Sequence, residues 1–140
     1  MHEDKQRVLV TGGTGLLGIA LQRLAPSGTQ GFSLHVRERA LPLPLPFLTH
    51  VGDVSIRAHV KAIFEIVRPT IVVHAAGIGS VDYAEKNPLH TRNVNVGGTE
   101  TIVRLCSEFH ARLIYISSNA VFDGLNPPYS EKDPVNPINY

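Results

Sequence analysis

The chain has one cysteine, one methionine and no tryptophan. A single thiol cannot close an internal disulfide, so the fold cannot depend on one, nor on an oxidising compartment. Neither sign of charge is in excess: 13 basic side chains face 12 acidic ones, for a net charge of +1. That balance offers no basic stripe to neutralise phosphates, which argues against nucleic-acid and membrane-surface partners. No apolar run approaches the ~20 residues a membrane helix needs. The first residues, Met1 to Arg7, are charged and lead directly into an apolar strand, unlike a secretion signal. The expectation is a cytoplasmic protein. Seven histidines are present, but no metal-ligand cluster is expected among them.

What remains is a chain of 140 residues, 43% hydrophobic and 18% charged, which suits one globular domain. Val8-Leu9-Val10 is apolar and β-branched and ends in Thr-Gly, as a strand buried on both faces would. Behind it, Leu16, Leu17, Ala20, Leu21 and Leu24 recur at helical spacing until Pro26 and Gly28. A second strand is predicted over Phe32–Val36. The Leu-Pro alternation at 41–46 excludes helix and central strand, and reads as an extended loop rather than a polyproline ligand. A third strand over Leu48–Val51 leads into Gly52-Asp53-Val54.

Ser55 is the expected N-cap of the next helix, with Ile56, Val60, Ile63, Phe64 and Val67 on one face and Pro69 at its end. Ile71-Val72-Val73-His74 is a fourth buried strand, running into Ala75-Ala76-Gly77. A long helical region is expected from Asp82 to Phe109, irregular at Pro88 and at Gly97-Gly98. Leu113–Ile116 makes the fifth strand, with Tyr115 expected in the core. The stretch from Asp123 to Tyr140 is rich in turn formers and reads as loop. Strand and helix alternate five times, which predicts a doubly wound parallel α/β sheet, Rossmann-type, with strand order 3-2-1-4-5.

The segment Gly12-Gly13-Thr14-Gly15-Leu16-Leu17-Gly18 follows a strand and opens a helix. Gly12 would allow the tight turn, Gly15 a close approach of amides to a pyrophosphate, and Gly18 close helix packing. The helix start would offer unpaired N–H groups to phosphates. Cofactor contacts are therefore expected from Gly12, Thr14, Gly15, Leu16 and Leu17. The ribose-reading position, about 20 residues past the turn, falls at Arg37-Glu38-Arg39. Two arginines around one glutamate weight the choice toward NADP(H), with NAD(H) left open. Asp53 with Val54 stands where an adenine edge would lie, or Asp53 is simply an acid at a helix start. His74 is expected to be packed or cofactor-lining rather than a base. Cys106 is expected in the core rather than as a nucleophile. Asn95 is either a structural side chain bonded to backbone or a holder of catalytic water.

Taken together, these motifs resemble the extended short-chain dehydrogenase/reductase family over nearly the whole chain. Thr11–Gly18, Gly52-Asp53-Val54, His74-Ala75-Ala76-Gly77 and Val94-Asn95-Val96-Gly97-Gly98-Thr99 carry that resemblance in order. Val81-Asp82-Tyr83-Ala84-Glu85, Leu113–Gly124, Pro128–Asp133 and Pro137–Tyr140 resemble its dTDP-4-dehydrorhamnose reductase branch. The same stretch is similar to the regulatory β subunit of methionine adenosyltransferase. The resemblance implies that Ala75, Ala76, Gly77 and Asn95 join the cofactor site. It also implies that Ser118 hydrogen-bonds a substrate carbonyl and that Tyr140 is the tyrosine of a Y-x-x-x-K motif, reducing a 4-keto nucleotide sugar in dTDP-rhamnose biosynthesis.

Two departures qualify this. Asn119-Ala120 stands where the branch usually has Asp-Tyr, and the chain ends at Tyr140 without the motif's lysine. The 140 residues alone are therefore expected to bind a cofactor without turnover. The alternative is a non-catalytic nucleotide-binding or regulatory module. Lacking a further helix, it would expose an apolar sheet face to a second copy or a partner enzyme.

Overall fold

The computed structural model describes residues 6–35 and 46–139. Five parallel strands form one sheet in the order β3-β2-β1-β4-β5, as the alternation of motifs predicted. They are β1 (Arg7–Thr11), β2 (Gln30–His35), β3 (Leu48–Val51), β4 (Ile71–His74) and β5 (Arg112–Tyr115). The registers Thr11↔Leu34 and Thr11↔His74 set the carboxyl ends of the three central strands level with one another. Both flanking strands of β1 are thus reached by crossovers that leave in opposite directions, which opens a crevice at the end of β1.

One face of the sheet holds the main core. Leu9, Leu34 and Val72 meet Val60, Ile63, Phe64 and Val67 of α2 (Arg57–Val67). Ile102, Leu105 and Cys106 of a later helix complete it. Phe64 is fully buried and packs edge-on against Phe109 at 5.5 Å; truncating such a side chain costs about 3–5 kcal/mol. The apolar period written into 56–67 therefore faces the core as expected, except for Ile56, which is 44% exposed. Ser55 does not cap this helix. Its N–H and hydroxyl both donate to Asp53 Oδ1, at 2.8 and 2.7 Å, so the chain turns there and the helix begins two residues later. At the other end Arg68, with φ 49, closes the helix by donating its N–H to Phe64 O.

The opposite face carries α1 (Leu16–Leu24) over Val10, Phe47 and Val73. Here the expected apolar stripe holds only in part. The buried residues of α1 are Gly18 and Gln22, while Leu16 and Leu24 are 92% and 83% exposed. The helix sits so close to the turn that its most buried positions are glycine and glutamine, while Leu21 packs half-buried against Val10, Phe47 and Val73 and Leu16 and Leu24 fall to the flanks.

The long helical region expected from Asp82 is segmented. α3 (Val81–Lys86) stops at Asn87, and Pro88 opens α4 (Pro88–Arg92) at a position that needs no N–H donor. A widened π turn over Asn93–Gly98 then feeds α5 (Thr99–Glu108). Tyr115 is not in the core: β5 is an edge strand of the described sheet, and Tyr115 is 54% exposed. The turn-rich tail contains a short 3-10 turn at Asn119–Val121 and a hub at Asp123. That carboxylate accepts bonds from the Tyr129 hydroxyl, from Leu125 N at 3.0 Å and from Asn136 Nδ2 at 3.1 Å. These donors, the Tyr129 hydroxyl first, hold its pKa below the usual carboxylate range.

Candidate functional site

A cavity of about 530 Å³ opens at the carboxyl ends of β1 and β4, within the size range of small-molecule sites. Its floor is backbone. Gly12, Thr14 and Gly15 supply one wall, Gly52, Asp53 and Val54 another, and Ala75, Ala76 and Gly77 a third. Three sequence-separated turns, each expected to touch a cofactor, meet in one place.

The glycines of the first turn are sterically required. Gly12 has φ +71, and a Cβ on it would lie 2.7 Å from Ala75 O. A Cβ on Gly18 would lie 2.3 Å from Gly12 O, so the helix packs onto the turn itself rather than onto the strands. Gly12 N and Gly13 N donate to Leu34 O at 2.9 and 3.3 Å, and Gly15 N donates to Gly12 O at 2.9 Å. No acceptor among the described residues takes the N–H groups of Thr14, Leu16 and Leu17. They are the open donors of a helix start, and such donors suit an anion.

Beneath the cavity runs a buried chain of hydrogen bonds. Thr99 Oγ1 donates to Asn95 O at 2.6 Å, which leaves it an acceptor for His74 Nε2–H at 3.0 Å. The other ring nitrogen, Nδ1, then accepts from the Thr11 hydroxyl at 2.6 Å, and Thr11 Oγ1 accepts from Ala76 N at 3.3 Å. Every proton is accounted for with a neutral imidazole. Burial depresses the His74 pKa to about 4. His74 is packed, as expected, and touches the site through Thr11 and Ala76 rather than directly.

Asn95 takes the structural alternative left open by the sequence. Its Oδ1 accepts from Ile78 N at 2.8 Å and its Nδ2 donates to Ile78 O at 3.0 Å. It stands behind the loop that lines the cavity, and does not itself line it. Leu16 and Leu17 are 92% and 40% exposed, and neither is among the residues that line the cavity. Ser118 is exposed and accepts from Ala120 N at 3.1 Å, capping the short turn that follows. Arg37, Glu38, Arg39 and Tyr140 lie outside the described residues, as do Val36 and most of the Leu-Pro stretch.

Three polar lining side chains were not anticipated, Ser80, Tyr83 and His90, nor were the apolar Leu34, Ile78 and Val94. Ser80 caps α3 by accepting from Tyr83 N, and the Tyr83 ring meets His90 edge-on at 6.2 Å. The spacing Ser80-x-x-Tyr83 signals a cap, but nothing in it says that α3 and α4 fold over the sheet ends. Cys106 is buried and its thiol is pushed up to about 11, which suits a packing role. Cys106 and His110, four residues apart, do not converge, since His110 is exposed beyond the helix end. Among the described residues no group of three or more metal-ligating side chains forms, and no helix is long and apolar enough to cross a membrane.

The parallel sheet with a glycine turn at its switch point defines a Rossmann-type domain. The chain belongs to the RmlD substrate binding domain family, whose model matches residues 6–140. It is 34% identical over 134 residues to methionine adenosyltransferase 2 subunit beta of Rattus norvegicus, covering 96% of this chain and 39% of that one. It is 33% identical over 135 residues to dTDP-4-keto-6-deoxy-D-glucose reductase of Streptomyces niveus, covering 95% and 42%. The chain thus spans about two-fifths of the length of these relatives.

Among solved structures, the dTDP-4-dehydrorhamnose reductase of Bacillus anthracis, in complex with NADP, matches with a TM-score of 0.81 and 26% identity. It covers 99% of this chain and 46% of that one. The UDP-glucose 4-epimerase of Thermus thermophilus, in complex with NAD, matches with a TM-score of 0.85 and 26% identity, covering 96% and 45%.

Proposed function

We propose that this chain is the cofactor-binding portion of an NAD(P)-dependent reductase that acts on a 4-keto nucleotide sugar. The observation that carries this reading is the single cavity in which the glycine turn, Gly52–Val54 and Ala75–Gly77 converge. The steric test supports a dinucleotide there: the walls are glycine and alanine backbone, and the open N–H groups of Thr14, Leu16 and Leu17 suit a diphosphate. Asp53 and Val54 would flank the adenosine end. Arg37 and Arg39 would favour a 2′-phosphate, hence NADP(H) over NAD(H).

A bound nicotinamide supplies hydride chemistry. The protein's share is to hold and polarise the substrate carbonyl. The Ser118 hydroxyl would donate to the carbonyl oxygen and Tyr140 would deliver the proton that completes the alcohol. Ser118 follows the end of β5 by three residues, and its present bond from Ala120 N is local to the turn it caps. The natural setting proposed is cytoplasmic nucleotide-sugar metabolism of the dTDP-rhamnose type.

A second reading is favoured by one specific observation. Asn119-Ala120 replaces the Asp-Tyr pair expected of the reductase branch, and a relative at 34% identity is a subunit named for another enzyme. On this reading the domain binds nucleotide and docks onto a partner enzyme, or onto a second copy, through exposed apolar residues on and after β5 such as Ile114 and Ile116.

Titration with NADPH and NADH, followed by nicotinamide fluorescence, tests what both readings share. Tighter binding of NADPH supports the assignment, and undetectable binding of both would overturn it. Reduction of a dTDP-4-dehydro-6-deoxy sugar by the full-length protein separates the two readings. Turnover supports the reductase, whereas binding without turnover supports the docking module.

A further inference from the structure

We infer that Gln22 is a positioning residue that aims the Thr14 amide into the cavity, an inference that rests on the dinucleotide reading above. Gln22 is 1% exposed, in the middle of α1, and it is the one fully buried side chain with a polar head on that helix. Its Nε2 donates to Gly13 O at 2.7 Å and to Gly18 O at 3.1 Å. Two carbonyl acceptors fix which end of the amide is nitrogen. The other end, Oε1, is buried without a partner. An unpaired buried carbonyl is a cost that a leucine of similar size would avoid. Against that cost stand the two bonds of its nitrogen, and the one to Gly13 O has a consequence for the turn.

That consequence follows from peptide geometry. The Gly13–Thr14 bond is trans, so its C=O and N–H point in opposite directions. Gly13 is buried and Thr14 half-buried at the cavity wall. Holding Gly13 O inward, onto Gln22, turns Thr14 N–H outward. Gly13 also backs closely onto β2, where a Cβ would lie 2.6 Å from Ser33 Cβ and 3.3 Å from Gln22 Nε2, so no side chain fits there. The peptide is pressed between strand β2 and the glutamine. Released from Gln22, it could rotate and point a carbonyl, rather than an amide, at an incoming diphosphate.

The test compares Gln22→Leu and Gln22→Glu with the parent chain. Gln22→Leu is expected to weaken NADPH binding about tenfold or more, the size of one lost bond to an anion. It should also move the Thr14 amide resonance in the nucleotide-free protein. Gln22→Glu provides a rescue that mere packing would not show. Protonated, its carboxyl donates to Gly13 O; ionised, it opposes two carbonyls. Its NADPH affinity relative to the parent is expected to rise as pH falls from about 8 to about 5.5.

NADPH affinity of Gln22→Leu within about twofold of the parent, or a Gln22→Glu profile parallel to the parent's, would overturn the inference. If the parent binds neither NADPH nor NADH, the dinucleotide reading has failed instead. The Thr14 resonance then decides Gln22 alone: unmoved in both variants, it overturns the positioning role, and moved, it supports it. If Gln22→Leu does not fold, the Gln22→Glu pH profile carries the decision.

Discussion

Asn95 grips both backbone groups of Ile78, accepting from its N–H at 2.8 Å and donating to its C=O at 3.0 Å. This one side chain fastens the loop after β4 to the helical layer seventeen residues further on. Asn95→Ala removes both bonds. Each is worth about 0.5–1.5 kcal/mol net, so the unfolding free energy should fall by about 1–3 kcal/mol. Nucleotide affinity should fall as well, because Ile78 and its neighbours line the cavity. Urea denaturation and an NADPH titration on the same variant check both. A variant as stable as the parent would mean that the loop is held by something else.

His74 gives the fold a specific acid limit. Its folded pKa of about 4 lies below the ordinary histidine value of 6.5 because the ring is buried. The unfolded chain therefore binds the extra proton first. The contribution is fully present above pH 6.5 and drains away as pH falls toward 4. It amounts to about 3 kcal/mol in all. Stability measured against pH for the parent and for His74→Asn should diverge most above pH 6.5 and converge toward pH 4. Parallel curves would show that the ring is protonated more easily than its burial allows.

Two glycines in helical backbone should respond oppositely to alanine. At Gly18 the new methyl would meet Gly12 O at 2.3 Å, whereas at Gly97 nothing lies within 4 Å. Gly18→Ala is expected to cost about 1–3 kcal/mol through overpacking and to abolish nucleotide binding. Gly97→Ala should gain up to about 1 kcal/mol from helix propensity. Melting curves of the two variants suffice, and equal effects would contradict the packing described for α1.

Cys106 should be inert in the native protein. It is 4% exposed and its thiol is pushed up to about 11, so little thiolate exists at neutral pH. Labelling with a thiol reagent is expected to follow global unfolding in urea. Rapid labelling of the folded chain would show that the space between α2 and α5 opens locally.

Much of this architecture could be read from the amino acids because buried parallel strands are short, apolar and followed by turn formers. Val8-Leu9-Val10 and Ile71-Val72-Val73 needed no tertiary information. The three turns that meet in the cavity were visible for the same reason, since each is a run of small residues at a strand's end. What escaped was decided by geometry between elements. Ser55 has the chemistry of a cap, but Asp53 Oδ1 captured it first. The leucines of α1 mark a helix correctly, but only Leu21 among them packs on the core, because Gly18 and Gln22 take the most buried positions. Ser80 and Tyr83 reach the cavity at the end of the loop after β4, and His90 reaches it from α4, beyond the break at Asn87-Pro88. Nothing in the helical spacing singled out Gln22, which is buried only because the helix meets the turn.

The π turn at Asn93–Gly98 amounts to one surplus residue in an otherwise regular coil. One residue is about 100° of rotation, so everything beyond it is rephased relative to everything before. The early part can aim Asn95 at the loop over the cavity, while the late part aims Ile102, Leu105 and Cys106 at the core. Deleting a single residue there, Gly97 for instance, would straighten the coil and force a choice. Either Asn95 keeps its grip and Val103 or Arg104 swings toward the core, or the core is kept and the loop is let go. Length in this stretch is therefore under tighter control than composition, and indels should be tolerated less well than substitutions.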